Sequence, residues 1–146
     1  DSQRRSFFDR LFNRPQGISA VEAIDGDSVR LDGLREGRLF GIDAPEMPGE
    51  AGKRARAQLQ KLLAGGPLQV KMHGQDPYGR ALVTLYAGGT DVNRQMVAEG
   101  YARAYGRYSK RYWGAQMKAA VAGKGLWADG WLKHPERQRR RAAEAR

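Results

Sequence analysis

The stretch Arg38-Leu39-Phe40-Gly41-Ile42-Asp43-Ala44-Pro45-Glu46 constrains this chain more than any other. Residues 38–42 alternate well enough for a strand that is at least half buried. Pro45 has no N–H to donate to a sheet ladder, so pairing is expected to stop there. Asp43 and Glu46 are thereby placed at the exit of a strand and not inside a core. A buried carboxylate without a partner is costly, so two acids beside such a turn point to a hydrated or metal-bearing pocket. Acids close to turns are usually just solvated, so the stretch does not define a site by itself.

Two further polar turns give it context: Asp25-Gly26-Asp27-Ser28 upstream and Asp76-Pro77-Tyr78-Gly79-Arg80 downstream, each bordering a β-like run. Ile18–Ile24 reads as a strand entering the first turn. Val29–Leu31 restarts it, Asp32-Gly33 is a hairpin signal, and Arg38–Ile42 completes a three-strand meander. Pro48 is expected to open a helix with Glu50 in its first turn and Ala51, Ala55, Leu59, Leu62 and Leu63 along its apolar stripe, stopped by Gly65-Gly66. Leu68, Val70 and Met72 alternate as a fourth strand, and Ala81–Tyr86 form a fifth, closed by Gly88-Gly89. Asp91 caps a short helix that carries Val92, Met96 and Val97 and ends at Gly100. Ser109 is expected to cap a last helix with Trp113, Met117, Ala120 and Val121 on one face, ending at Gly123 or Gly125. Short strands that do not alternate with helices as βαβ units argue for an α+β fold.

These elements occupy residues 18–131, a length suited to one domain with a modest core. Residues 1–17 place Phe7, Phe8, Leu11 and Phe12 at helical spacing among arginines. They form a basic amphipathic segment that either packs on the domain or makes peripheral contact with a membrane. Residues 132–146 are a basic tail, whose arginines are expected to add non-specific phosphate contacts. Lys and Arg number 26 against 16 acids, a net charge of +10, which favours a polyanionic partner, either nucleic acid or an anionic membrane surface. Cysteine is absent, which excludes a disulfide framework, a thiolate metal site and a thiol nucleophile. No apolar run approaches the ~20 residues that span a bilayer. The chain starts without Met or a signal-like apolar region, which reads as a trimmed product of a longer precursor.

The Asp-Gly-Asp-Ser turn, Arg38 with Gly41-Ile-Asp-Ala-Pro-Glu46, Tyr78-Gly-Arg80 and the late Gly125-Leu-Trp127 occur in an order and spacing that closely resemble the staphylococcal nuclease (thermonuclease) family over roughly residues 18–128. The resemblance implies a five-stranded oligonucleotide-binding-type (OB-fold) β-barrel with three α-helices. It also implies a monomeric phosphodiesterase that cleaves DNA and RNA with little sequence preference. The substrates would be single strands or frayed duplex, cut to 3′-phosphate and 5′-hydroxyl ends. A non-catalytic nucleic-acid-binding module of the same fold is the alternative. A secreted or periplasmic setting is implied by the family and by the availability of Ca²⁺.

The chemistry fits the residues. A phosphodiester is an anion that gains charge on hydrolysis, so it calls for cations at the phosphate and a base or positioner near the attacking water. Asp27 and Asp43 are hard oxygen ligands suited to Ca²⁺, although aspartates alone do not distinguish it from Mg²⁺ or Mn²⁺. The resemblance favours one Ca²⁺ and adds the backbone carbonyl of Ala44, where the family often has threonine. Arg38 and Arg80 each present a fork that lysine cannot replace, and the family uses arginines here on the scissile phosphate. Glu46 matches the family's glutamate, which serves as general base, or orients the water, or tunes the metal site. Tyr78 and Tyr105 resemble the family's nucleotide-contacting tyrosines, and an aromatic face stacks on any base. Tyr108 and Tyr112 read as surface or half-core residues, and Trp113, Trp127 and Trp131 as packing groups. His73 and His134 show no metal-ligand pattern and receive no catalytic role. The chain departs from the family in a shorter loop between its second and third strands, in Pro77 where a lysine usually stands, and in a loop after Glu46 reduced to Met47-Pro48-Gly49.

Overall fold

The alternation around the Asp25–Ser28 turn becomes a sheet whose strand ends meet at that turn. The computed structural model describes residues 14–33, 35–106, 109–130 and 132. The expectations for the Phe-rich segment up to residue 13, for Tyr108, Trp131 and His134, and for the tail after residue 132 lie outside these. In chain order the strands are β1 (Gln16–Gly17), β2 (Val21–Ala23), β3 (Ser28–Leu31), β4 (Arg35–Leu39), β5 (Ile42–Asp43), β6 (Leu68–Gln75), β7 (Ala81–Ala87), β8 (Thr90–Asp91) and β9 (Arg103–Ala104). Three helices interrupt them: α1 (Glu50–Leu63), α2 (Val92–Ala98) and α3 (Trp113–Ala122), with 3₁₀ turns at Ser109–Tyr112 and Gly125–Trp127. No helix among the described residues is long and apolar enough to cross a membrane.

The main sheet runs β1-β6-β7-β4-β3-β2 with β8 on β7, and only the β4–β7 pairing is parallel. This is the expected α+β class with three helices. The hydrogen-bonded path is open, however, and β5 with β9 forms a separate pair, so closure of five strands into a barrel is not seen. Two local causes are visible. The expected single strand 38–42 breaks at Gly41, whose φ of +81° turns the chain out of the β4 ladder and sends Ile42–Asp43 to β9. At the opposite edge the free groups of β2 are taken up by side chains. Arg56 Nε donates to the Ala23 carbonyl (3.2 Å), and the Gln60 side-chain oxygen accepts from Ala23 N–H (3.2 Å), so α1 covers this edge where another strand would otherwise pair.

The apolar stripe of α1 is as expected, with Ala51, Ala55, Leu59 and Leu63 buried, but the helix begins after Gly49 and not at Pro48. Asp91 caps α2, accepting from Arg94 N–H at 2.9 Å. Within α2, Asn93 is fully buried and satisfied three ways: it accepts from Leu85 N–H (3.1 Å) and donates to the Phe40 and Val83 carbonyls (3.0 Å each). The Phe40 contact pins the break between β4 and β5 from behind.

The last helix differs from expectation. Ser109–Tyr112 is a 3₁₀ turn, so Ser109 does not cap α3. Trp113, Met117 and Val121 share a face as their spacing requires, but that face is outside: they are 57%, 54% and 85% exposed. The helix instead buries Ala119, and the core is completed by Tyr112, Leu126 and Trp127. Trp113 is therefore not a packing group, whereas Trp127 is, and Tyr112 is a core residue. Burial pushes the Tyr112 hydroxyl up to about 12.

Candidate functional site

The site is built where the turn before β3 meets the loop after β5. Asp27 is buried, and its Oδ2 accepts from Ala44 N–H at 2.9 Å. Two residues earlier, Asp25 Oδ1 accepts from Met47 N–H at 3.2 Å. The acidic turn thus grips the loop at both ends, and Gly26 sits between the two grips. A Cβ at Gly26 would stand 2.8 Å from that of Ala44 and 2.6 Å from that of Ala55 on α1, closer than such atoms pack. Gly52 has the same role one turn earlier in α1, where any side chain would overlap the carbonyl of Glu46. Turn, loop and helix are therefore in direct backbone contact, and this sets the path of residues 44–47.

Arg38 enters from β4, where it pairs with Ser28 on one side and Leu82 on the other. Its guanidinium lies 3.9 Å from Asp27 Oδ2 and 3.7 Å from Asp43 Oδ1, and it donates to the Ile42 carbonyl at 3.2 Å. The ring of Tyr105 covers it, with 5.5 Å from the guanidinium carbon to the ring centroid, a cation–π distance. Tyr105 is positioned by its own N–H, which donates to the Gly41 carbonyl at 2.8 Å. The structure therefore brings together Asp27, Arg38, Asp43, Ala44 and Tyr105. Both ion pairs are longer than a hydrogen bond, so the guanidinium is held near the carboxylates without being spent on them.

Glu46 is exposed on the loop beyond. Arg80 immediately precedes Ala81, which pairs with Gly37, so it stands one strand across from Arg38. Its Nε donates to Asp76 Oδ2 at 2.6 Å. Asp76 organises this turn, with Oδ1 accepting from Tyr78 N–H and from Arg80 N–H at 2.9 Å each. Burial raises the Asp76 carboxyl, but these donors outweigh it and hold the group below the usual carboxylate value. Tyr78 at the turn's tip is 85% exposed. Among the described residues, no hydrogen bond or ion pair joins Glu46 or Arg80 to Asp27, Arg38 or Asp43.

Burial also pushes the Asp27 carboxyl up to about 6, against the opposing pull of Arg38 and the Ala44 N–H. Asp43 and Asp25 add to the upward push. Two carboxylates face one guanidinium, Asp27 from a buried position and Asp43 from a partly exposed one. An all-oxygen donor set of this kind fits a hard cation such as Ca²⁺ or Mg²⁺. No group of three or more His, Cys, Asp or Glu able to hold a metal occurs among the described residues, so Asp27 and Asp43 could make only part of a coordination shell. Mg²⁺ in particular is commonly held by one or two carboxylates and completed by water or substrate phosphate.

Several supporting residues escape a reading of motifs. Asp25 and Asp76 carried a signal, since each opens a Gly-containing turn where an aspartate characteristically accepts backbone N–H groups. Gly26, Gly52 and Asn93 carried none, because their roles depend on the packing of turn, loop, helix and sheet against one another.

Comparison with known proteins gives a consistent picture. The family described as "Staphylococcal nuclease homologue" matches residues 36–129. The chain is 35% identical over 141 residues to a protein of Shigella flexneri named micrococcal nuclease, covering 86% of this chain and 81% of that one. It is 35% identical over 128 residues to an "uncharacterized endonuclease" of Haemophilus influenzae, covering 82% and 71%. It is also 34% identical over 113 residues to "probable staphylococcal-like nuclease CAN2" of Oryza sativa subsp. japonica, covering 75% of this chain. The chain spans 30% of the length of that rice relative and 32% of the related CAN1.

Proposed function

This chain belongs to the staphylococcal nuclease family, and we propose that it is a metal-dependent phosphodiesterase. It hydrolyses DNA and RNA with little sequence preference, favours single strands and frayed duplex, and leaves 3′-phosphate and 5′-hydroxyl ends. The observation that carries this reading is the Arg38 guanidinium held 3.9 and 3.7 Å from Asp27 and Asp43 at the end of a strand, under the ring of Tyr105.

In this reading a substrate phosphate exchanges the long ion pairs of Arg38 for short bidentate hydrogen bonds, which are stronger and geometrically selective. Arg80 is aimed by Asp76 through Nε, which leaves its terminal nitrogens for a second oxygen of the same phosphate. Together they stabilise the charge that builds up at phosphorus. Asp27 and Asp43, with the carbonyl of Ala44, would hold the Ca²⁺, which when bound would supply Lewis-acid charge at the phosphate. Glu46, exposed on the loop that the acidic turn grips, orients or deprotonates the attacking water. Tyr105 and Tyr78 offer ring faces to the neighbouring bases, which explains a low sequence preference. The enzyme works as a monomer in a secreted or periplasmic setting.

The deciding experiment is cleavage of labelled single-stranded DNA and RNA with Ca²⁺, with Mg²⁺ and with chelator, reading the chemistry of the new ends. Ca²⁺-dependent cuts ending in 3′-phosphate are expected. Salt-sensitive binding without cleavage under any metal would make the chain a nucleic-acid-binding module instead.

A further inference from the structure

A groove of about 220 Å³ opens beside the loop that carries Glu46, lined by Met47, Lys53, Arg56, Ala57 and Gln60. Its polar lining consists of donors. Arg56 uses Nε on the Ala23 carbonyl, and Gln60 uses its oxygen on Ala23 N–H, so the ends of both side chains that remain are N–H groups. Lys53 adds an exposed ammonium, and Met47 and Ala57 supply the apolar surface. Among the described residues no acid lines the groove: Asp25 is engaged with Met47 N–H, Glu22 pairs with Arg30, and Glu50 lies in the first turn of α1 outside the lining.

Its place in the sheet gives the groove a direction. Across the order β7-β4-β3-β2 stand Arg80, Arg38, Asp27 and then Ala23, whose edge the groove residues cover. The pairings Ala81↔Gly37, Leu82↔Arg38, Arg38↔Ser28 and Val29↔Ala23 set these four within about 10 Å of one level along the strands. From β7 to β2 is three strand spacings, about 14 Å, longer than one nucleotide requires. A chain whose scissile phosphate sits at Arg38 and Arg80 therefore has a donor-lined exit on the β2 side.

We propose that this groove is a subsite for a nucleotide of a single-stranded substrate lying beyond the first one after the attacked phosphate on the β2 side, with Lys53 and Arg56 on its phosphate and Met47 and Ala57 against its base. The inference rests on the nuclease reading above and extends it to the substrate's path. Arg56 also clamps α1 to β2, so Lys53, which has no such duty, is the cleaner probe.

The test is fluorescence anisotropy with labelled single-stranded oligonucleotides of increasing length, starting from a dinucleotide, in chelator so that nothing is cut. Affinity is expected to step up once the oligonucleotide reaches the groove. Lys53→Glu should remove that step, lower affinity several-fold for the longer oligonucleotides only, and reduce the salt slope by about 0.7, the share of a single neutralised phosphate. Lys118→Glu, an exposed position on α3, serves as the control for overall charge. An unchanged step in Lys53→Glu, an equal loss in the control, or the same loss with the dinucleotide overturns the subsite. Absence of cleavage by the wild type with any metal would sink the nuclease reading, yet leave this binding comparison readable.

Discussion

Arg38 serves two sets of partners with one guanidinium. It faces Asp27 and Asp43 through ion pairs longer than a hydrogen bond, and in the proposed mechanism it exchanges them for an incoming phosphate. Arg38→Lys keeps the charge but loses the planar fork and the guanidinium's place over the Tyr105 ring, so it is expected to lower kcat by about 10²–10³ with little change in melting temperature. Wild-type turnover in that variant would remove Arg38 from the chemistry. His73 illustrates the opposite kind of residue, one whose role is structural. It stacks on Phe40 at 4.2 Å between ring centroids, its Nε2 lies 2.7 Å from the Thr84 hydroxyl, and burial with nearby Lys71 and Arg111 lowers it from 6.5 to about 4. The unfolded chain takes up this proton near pH 6.5 and the folded chain only near 4. Stability from His73 is thus complete above 6.5 and falls as pH drops toward 4. Denaturant titrations of wild type and His73→Gln should therefore converge between pH 7 and 4.5, and a constant gap would show that His73 titrates normally. At this scale Asp27, Arg38 and Asp43 were legible, because strand ends and turns declare where carboxylates and cations surface. Their spacing from one another was not.

Among the elements, α1 does more than cover the core. Its small residues Gly52 and Ala55 let the helix press directly on the loop and the acidic turn. Gly26→Ala would force turn and helix apart, and the resulting overpacking is expected to cost about 2 kcal/mol. It should reduce turnover further than the stability loss accounts for, measured by cleavage at a temperature where the variant is still folded. Asn93 ties α2 to β7 and to the β4–β5 break, and Asn93→Ala takes a partner from the Leu85 N–H and from the Phe40 carbonyl, while the Val83 carbonyl keeps the Phe40 N–H. Chemical denaturation should register a loss of about 3 kcal/mol. The three helices and the longer strands were readable from alternation, caps and glycines, whereas the two-residue strands β1, β8 and β9 were not. The orientation of α3 was not: periodicity shows that Trp113, Met117 and Val121 share a face but is silent on which way the face points. Ala119 and the 3₁₀ turn that buries Tyr112 decided it.

The whole molecule carries a net charge of +10, to which the arginine-rich tail contributes. Removing residues 136–146 is expected to flatten the salt dependence of single-strand binding by up to about 0.7 in slope for each phosphate that the tail neutralises. An unchanged slope would mean that the tail does not touch nucleic acid. By itself the amino-acid sequence determined the α+β class, the family, a net charge that favours a polyanionic partner and the identity of the charged residues at the strand ends. Those properties follow from local chemistry: period, turn residues and charge are written in neighbouring positions. Tertiary structure alone decided that the sheet stays open with α1 covering its β2 edge, that Asp25 and Asp27 together hold the loop before and after Glu46, and that Lys53, Arg56 and Gln60 line one groove beside it. Each of these depends on groups brought together across tens of residues, where proximity is set by packing and no local pattern records it.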